Sequence, residues 1–241
     1  MAERAVASQD GGLVASGAQL GGRFANRESA GRTLAGQVAS QEGLLRPVVV
    51  ALARGGVVVG AELARALGAP LYAMPVAKVG APGQEELAVG AVAPGDVRVL
   101  NEDVVSLLGL LPVEVEALFD KAAAKVAAQQ SAYNKYGAGE LPSLEGRSAV
   151  VVDDGLATGA TMRAALFATR QKYPAKLVMA VPVAPPECLN ALAPLVDGYF
   201  CLVEPRHMRA VGAWYEDFTQ ATDEEVGRLL AELGPGHNGL A

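Results

Sequence analysis

The sequence predicts an α/β protein, a doubly wound and mainly parallel sheet with flanking helices. Three observations carry that prediction. Strand-like and helix-like segments alternate along most of the chain. The strand-like runs 48–52 and 150–152 are apolar throughout instead of alternating, the pattern of strands buried on both faces. Turns rich in glycine and charge follow these runs, as at the carboxyl edge of an open parallel sheet, where ligands bind.

Taken in order, residues 1–22 are small and polar and read as a disordered leader, with no apolar signal-peptide core. The main domain is expected over 23–234, followed by a flexible tail, 235–241. A helix is predicted over 24–42, with Ala30, Leu34 and Val38 as its buried stripe. Gly43 and Pro47 bracket a turn before the strand 48–52, and a helix over 57–67 stops at Gly68. The strand 71–76 leads into 77–86, a loop by its glycines and proline. Residues 87–92 and 97–100, joined by Pro94-Gly95-Asp96, suggest a β-hairpin. A long helix over 112–136 begins with Pro112 in its first turn, and 137–147 is a polar linker. After the strand 150–152 come a helix (161–172), a strand (176–182), a helix (186–195) and a strand (198–203). The last helix starts near Thr222, whose spacing to Glu225 makes a capping box.

Composition narrows the function. At 241 residues and 51% hydrophobic, the chain can bury a large core without disulfides. A net charge of −6 argues against nucleic acid as a partner, since phosphate backbones demand a basic face. Cys188 and Cys201 sit among apolar residues and read as buried free thiols. Two histidines and two cysteines without ligand spacing give no zinc signal. No apolar run reaches the roughly 18 residues of a membrane span. A cytoplasmic protein is expected.

The densest signal is 149–162, Ala-Val-Val-Val-Asp-Asp-Gly-Leu-Ala-Thr-Gly-Ala-Thr-Met. A lone Asp after a strand is commonly a helix cap, and Asp-Gly a common turn. Here two carboxylates, two glycines and two threonines fall within nine residues, between a strong strand and a strong helix. Asp153 and Asp154 suit sugar hydroxyls, and the small-residue loop before a helix N-terminus suits a phosphate. Three further segments carry chemistry. Ala53-Arg54-Gly55-Gly56 leaves a buried strand with paired glycines and a fixed cation, which fits a pyrophosphate. Lys78-Val79-Gly80-Ala81-Pro82-Gly83 joins a cation to mobile backbone, the needs of a lid. Residues 211–218 gather Trp214, Tyr215 and Phe218 with Glu216 and Asp217; such aromatics stack on planar ligands or close a core. His207 lies between Arg206 and Arg209 in what reads as a solvated loop, and His237 sits in the glycine-rich tail. The glycines of 55–60 fall at the wrong intervals for a dinucleotide fingerprint.

The run 149–162 resembles the ribose-phosphate signature of the type I phosphoribosyltransferases: a hydrophobic strand, two acidic residues, a short apolar pair, then Ala/Asp-Thr-Gly-x-Thr. The resemblance covers roughly residues 24–233. It implies the fold of that family, with a small hood over about 203–221 and a mobile hairpin loop. It implies that Asp153 and Asp154 hold the ribose hydroxyls of phosphoribosyl pyrophosphate. Gly155 and Leu156 would also contact that donor, and Ala157, Thr158, Gly159, Ala160 and Thr161 would wrap its 5′-phosphate. Arg54, Gly55 and Gly56 correspond to the pyrophosphate-binding loop and resemble the adenine-type branch. Lys78 falls in that branch's Arg-Lys-x-Gly-x-x-Pro-Gly run, from which this chain departs at Ala77.

Residues 211–218 resemble the hood of the hypoxanthine-type enzymes, which puts Val211, Trp214 and Tyr215 at the acceptor and Asp217 near the metal. Mg²⁺ is the implied cofactor, held by Asp153, Asp154 and Asp217 mostly through water. Ala157 stands where hypoxanthine-type enzymes carry a proton-transfer acid, and Val183-Ala184-Pro185-Pro186 where they carry a Lys. The donor is therefore implied and the acceptor left open. The expected activity is transfer of the phosphoribosyl group to a nitrogenous small molecule with release of pyrophosphate. The alternative is a sensor of phosphoribosyl pyrophosphate or a nucleotide on the same fold. A lid and hood at one edge leave other faces free for a homodimer.

Overall fold

The structure, a computed structural model, describes residues 13–16, 22–137 and 139–236, with only the backbone described for 13–16 and 86. In chain order the elements are β1 (Leu13–Ser16), α1 (Arg27–Ala39), β2 (Val48–Ala53), α2 (Gly55–Leu67), β3 (Leu71–Pro75), β4 (Ala77–Ala81), β5 (Gln84–Ala93), β6 (Val97–Leu100), α3 (Glu102–Leu108), α4 (Pro112–Asn134), β7 (Ser148–Val152), α5 (Ala160–Arg170), β8 (Lys176–Val183), α6 (Pro186–Leu192), β9 (Gly198–Val203) and α7 (Asp223–Leu233). The main sheet has the order β1-β9-β8-β7-β2-β3, and every neighbouring pair in it is parallel. A second, antiparallel sheet has the order β4-β5-β6.

Both faces of the main sheet are covered, which explains the unbroken apolar strands. Val49, Ala51, Val150, Val152, Val178 and Phe200 point to one face and pack with α1, α2 and α7. Val50, Val151, Leu177, Met179 and Cys201 point to the other, against α5 and α6. The neighbours β2 and β7 run in register, Ala51 opposite Val152. Their following helices leave to opposite faces, α2 to the first and α5 to the second. Strand order therefore switches between them, and a crevice opens at their carboxyl ends. The turn after β2 and the turn after β7 face each other across it. Among the described residues no helix is long and apolar enough to cross a membrane.

Four local expectations are corrected. Part of the expected leader, Leu13–Ser16, pairs with β9 as an edge strand; the rest of it up to residue 21 lies outside the described residues, as does the tail from 237. The expected loop 77–86 contains β4, registered against β5. Its alternation was hidden by glycine: Val79 and Ala81 are buried while Lys78 is exposed. A Cβ at Gly80 would stand 2.7 Å from the Glu85 carbonyl oxygen, so only glycine allows the bulged strands this approach. The short helix α3, capped by Asn101, occupies a stretch with no predicted element. Finally, α1 starts at Arg27 and not at Phe24, because Asn26 and Ser29 form a reciprocal capping box. Phe24 instead bridges to Tyr215.

Candidate active site

Two sequence-distant turns meet at the switch point. Asp153 and Asp154 leave β7, and Arg54, Gly55 and Gly56 leave β2 beside them. Gly56 lies so close that a Cβ there would stand 2.8 Å from the Val152 carbonyl oxygen and 3.1 Å from Asp153 Oδ1. At Gly55 a Cβ would collide with Asp154 Oδ2 and stand 2.8 Å from Arg27 Nε. The paired glycines are thus needed for close approach of two backbones. A cis peptide bond joins Ala53 to Arg54. The Arg54 guanidinium reaches toward Asp223, the first residue of α7, at 3.8 Å.

The acid pair is half-buried and held by specific partners. Asp153 Oδ1 accepts the Asp154 backbone N–H at 2.8 Å. Arg27 Nε donates to Asp154 Oδ2 at 2.6 Å, and Tyr215 Oη donates to the Asp154 carbonyl oxygen at 2.6 Å. Burial pushes both carboxyl pKa values up; the Asp154 charge adds to the effect on Asp153, while Arg27 opposes it on Asp154. Among the described residues, no other protein group donates to the second oxygen of either carboxylate.

The loop 155–161 closes the end of β7 and runs into α5. Gly155 and Gly159 are buried, Ala157 and Thr158 exposed, and Ala160 and Thr161 half-buried. Leu156 is a buried anchor whose N–H donates to the Val183 carbonyl oxygen, so it fastens the loop from beneath. The Cys188 thiol of α6 donates to the Ala157 carbonyl oxygen at 3.1 Å. Burial raises the Cys188 pKa, with the neighbouring Glu187 adding to it, which keeps the thiol protonated as a donor. The loop ends at the N-terminus of α5, where unpaired N–H groups and the helix dipole favour an anion. Beside Thr158 and Ala160 opens a cavity of about 620 Å³, bounded by Arg163, by Gly90 and Val99 of the small sheet, and by the start of α3.

The remaining expected residues are distributed differently. Val211 is against the acid turn, its Cγ1 2.6 Å from where a Gly155 Cβ would stand. Trp214 is half-buried against the core on the α1/α2 face, and its carbonyl accepts the Phe24 N–H. Tyr215 is buried, its ring tilted against Phe24 and Phe218. Asp217 is exposed, and its carboxylate accepts from the Thr219 N–H and hydroxyl. Lys78 is exposed on β4, opposite Ala91, a few residues beyond the end of β3. Arg206, His207 and Arg209 lie in an exposed loop, and His237 is outside the described residues.

Arg27 is the group that the sequence reading missed. One signal was available: a cation in the first turn of a helix opposes the dipole, so its presence there asks for a specific anion. That anion is 127 positions away in sequence. Among the described residues no cluster of three or more His, Cys, Asp or Glu is placed to hold a metal.

The comparisons agree with this architecture. A family model described as a phosphoribosyl transferase domain matches residues 24–206. Two Mycobacterium tuberculosis proteins, from strain CDC 1551 / Oshkosh and strain ATCC 25618 / H37Rv, carry phosphoribosyl transferase as a provisional name. Each is 41% identical over 218 residues, covering 90% of this chain and 48% of the relative. The chain thus spans about half the length of the curated relatives it matches. The crystal structure of TT1426 from Thermus thermophilus matches with a TM-score of 0.73 and 40% identity, over 88% of this chain and 99% of that one. The fold is that of the type I phosphoribosyltransferases. The chain belongs to the phosphoribosyl transferase domain family.

Proposed function

We propose that this protein transfers the phosphoribosyl group of phosphoribosyl pyrophosphate to a nitrogenous small-molecule acceptor and releases pyrophosphate. The observation that carries this reading is the packing of Arg54-Gly55-Gly56 directly on Asp153 and Asp154 at the switch point. A donor with a phosphate at one end and a pyrophosphate at the other needs both turns at once. The 5′-phosphate would rest on the loop 157–161 and the N-terminus of α5. The ribose hydroxyls would meet Asp153 and Asp154, and the leaving group would be neutralised by Arg54, with Lys78 brought in from the small sheet.

Such a displacement asks little covalent work of the protein. Its barrier falls by aligning the acceptor nitrogen with C1′ and by stabilising charge on the departing pyrophosphate. Val211 would wall the acceptor's side, with Tyr215 holding the hood. The residues fit a Mg²⁺ ion carried in with the donor. Among the described residues each half-buried carboxylate has one oxygen outside its protein hydrogen bond and there is no larger acidic cage, as suits an ion that keeps several waters. When bound, the ion would offset negative charge on the pyrophosphate. Asp217, whose carboxylate turns to Thr219, would reach it only through water.

A second reading, a sensor of phosphoribosyl pyrophosphate or a nucleotide, draws on Ala157 and Ala77, which leave the site without a proton-transfer acid and a second lid cation. Pyrophosphate release, measured with Mg²⁺, phosphoribosyl pyrophosphate and a panel of purines, pyrimidines and related heterocycles, separates the two. Release with at least one acceptor supports transfer, and tight binding without release supports the sensor. Asn at both 153 and 154 should abolish donor binding by calorimetry while circular dichroism stays unchanged. Unchanged affinity would sink the site assignment.

A further inference from the structure

We infer that Arg27 is a positioning residue that fixes the Asp154 carboxylate and ties the hood segment 211–219 to it, so that sugar site and acceptor site are set by one side chain. This rests on the proposed phosphoribosyl transfer. The geometry is that of a fork used in two directions. Nε donates to Asp154 Oδ2 at 2.6 Å, while Nη1 donates to the Thr219 carbonyl oxygen at 2.7 Å. The guanidinium carbon lies 3.7 Å from the centre of the Phe218 ring, within the range of a cation–π contact. The side chain is only 10% exposed, which strengthens each of these contacts over a solvated pair.

The surroundings leave Arg27 little freedom. Gly55 packs against Nε, so the pyrophosphate turn rests on the same ion pair. The residues before Arg27 are stitched to the hood by backbone bonds, Phe24 N–H to Trp214, Glu216 N–H to Phe24 and Asp217 N–H to Ala25. Tyr215 closes the circuit on the Asp154 carbonyl. With Oδ2 committed to Arg27, Oδ1 is the oxygen left for a ligand. A displaced hood therefore pulls on Arg27, and through it on the carboxylate that holds the ribose.

Lysine separates the two tasks, because an ammonium on a flexible stem reproduces one contact of the fork and not its planar pair. Three variants, Arg27→Met, Arg27→Lys and Arg27→Met with Asp154→Asn, would be compared with unaltered protein and with Asp154→Asn alone. The readouts are calorimetry with Mg²⁺ and phosphoribosyl pyrophosphate, melting temperature, and hydrogen exchange of 211–219.

Arg27→Met should weaken donor binding by about tenfold or more and speed exchange in the hood. Arg27→Lys should recover most of the donor affinity while the hood still exchanges fast. The double variant should bind no worse than Asp154→Asn alone, since Arg27 acts through that carboxylate. Unaltered donor affinity and hood protection in a folded Arg27→Met protein would overturn the inference, as would additive losses in the double variant. If the unaltered protein bound no phosphoribosyl pyrophosphate, the proposed function would fall and this inference with it.

Discussion

The crevice between β2 and β7 and the small sheet β4–β6 differ in how their charges are held. In the crevice, Arg27 and Asp154 are nearly buried, share a 2.6 Å bond, and are fenced by Gly55, Tyr215 and Phe218. On the small sheet, Arg98 pairs with Asp96, Glu116 and Asp120 in plain contact with water. Nearby, Leu107, Leu111 and Val113 are themselves exposed. The small sheet is held by a modest core, Val79, Val89 and Val92 against Phe119, Ala122 and Val126 of α4. Burial makes the first region intolerant of small displacements, while solvent screens and loosens the second. Under the proposed function, a crevice built in the first manner would hold a sugar in one geometry, and a part built in the second would let substrate in and out.

The largest way to break the contrast is Gly55→Ala. One methyl would strike Asp154 Oδ2 and crowd Arg27 Nε. We expect a loss of about 2 kcal/mol of stability by denaturant unfolding, together with loss of donor binding. An equally small change on the exposed rim of α3 should do neither.

A smaller effect concerns pH. Both acid-pair pKa values are raised by burial, so lowering the pH through those values protonates the carboxyls that a sugar and a divalent ion would use. Donor affinity should therefore fall on acidification at pH values above the ordinary carboxylate pKa of about 4. Stability of the ligand-free protein should move the other way. A carboxyl with a raised folded pKa keeps its proton where the unfolded chain has lost it, so stability falls as pH rises through that window. Asp153→Asn should weaken this dependence, leaving the part that Asp154 carries, and raise ligand-free stability near neutral pH, measured by urea titration. Affinity and ligand-free stability that rise and fall together would contradict the account.

The smallest effect is expected for Arg98→Ala. Its three partners are exposed, and screened pairs of this kind contribute little. The melting temperature should stay unchanged within error. A clear drop would show the small sheet to be as tightly built as the crevice.

Much of this was legible in the chain itself. The apolar runs of β2 and β7 announced strands buried on both faces, because two covered faces leave no place for alternation. The run 149–162 stood out as a candidate site, since its strand, acids, loop and helix are consecutive in the chain. The strand β4 was not legible, because Gly80 is there for a close approach to Glu85, a partner that sequence proximity alone does not reveal as a strand neighbour. Trp214 and Tyr215 were legible as a cluster but not in their orientation, because an aromatic serves a core or a ligand with the same sequence pattern.

The layered α/β architecture, the run that carries the acid pair and the family to which it belongs are legible in the chain alone. Those features are written in local periodicity and short-range spacing. Which groups stand beside the acids is set by tertiary packing. Arg27 reaches Asp154 across 127 positions, and Gly55 is required by atoms of both. Pairings of that kind depend on how the sheet orders its strands and where its helices leave it, and no local pattern in the chain encodes them.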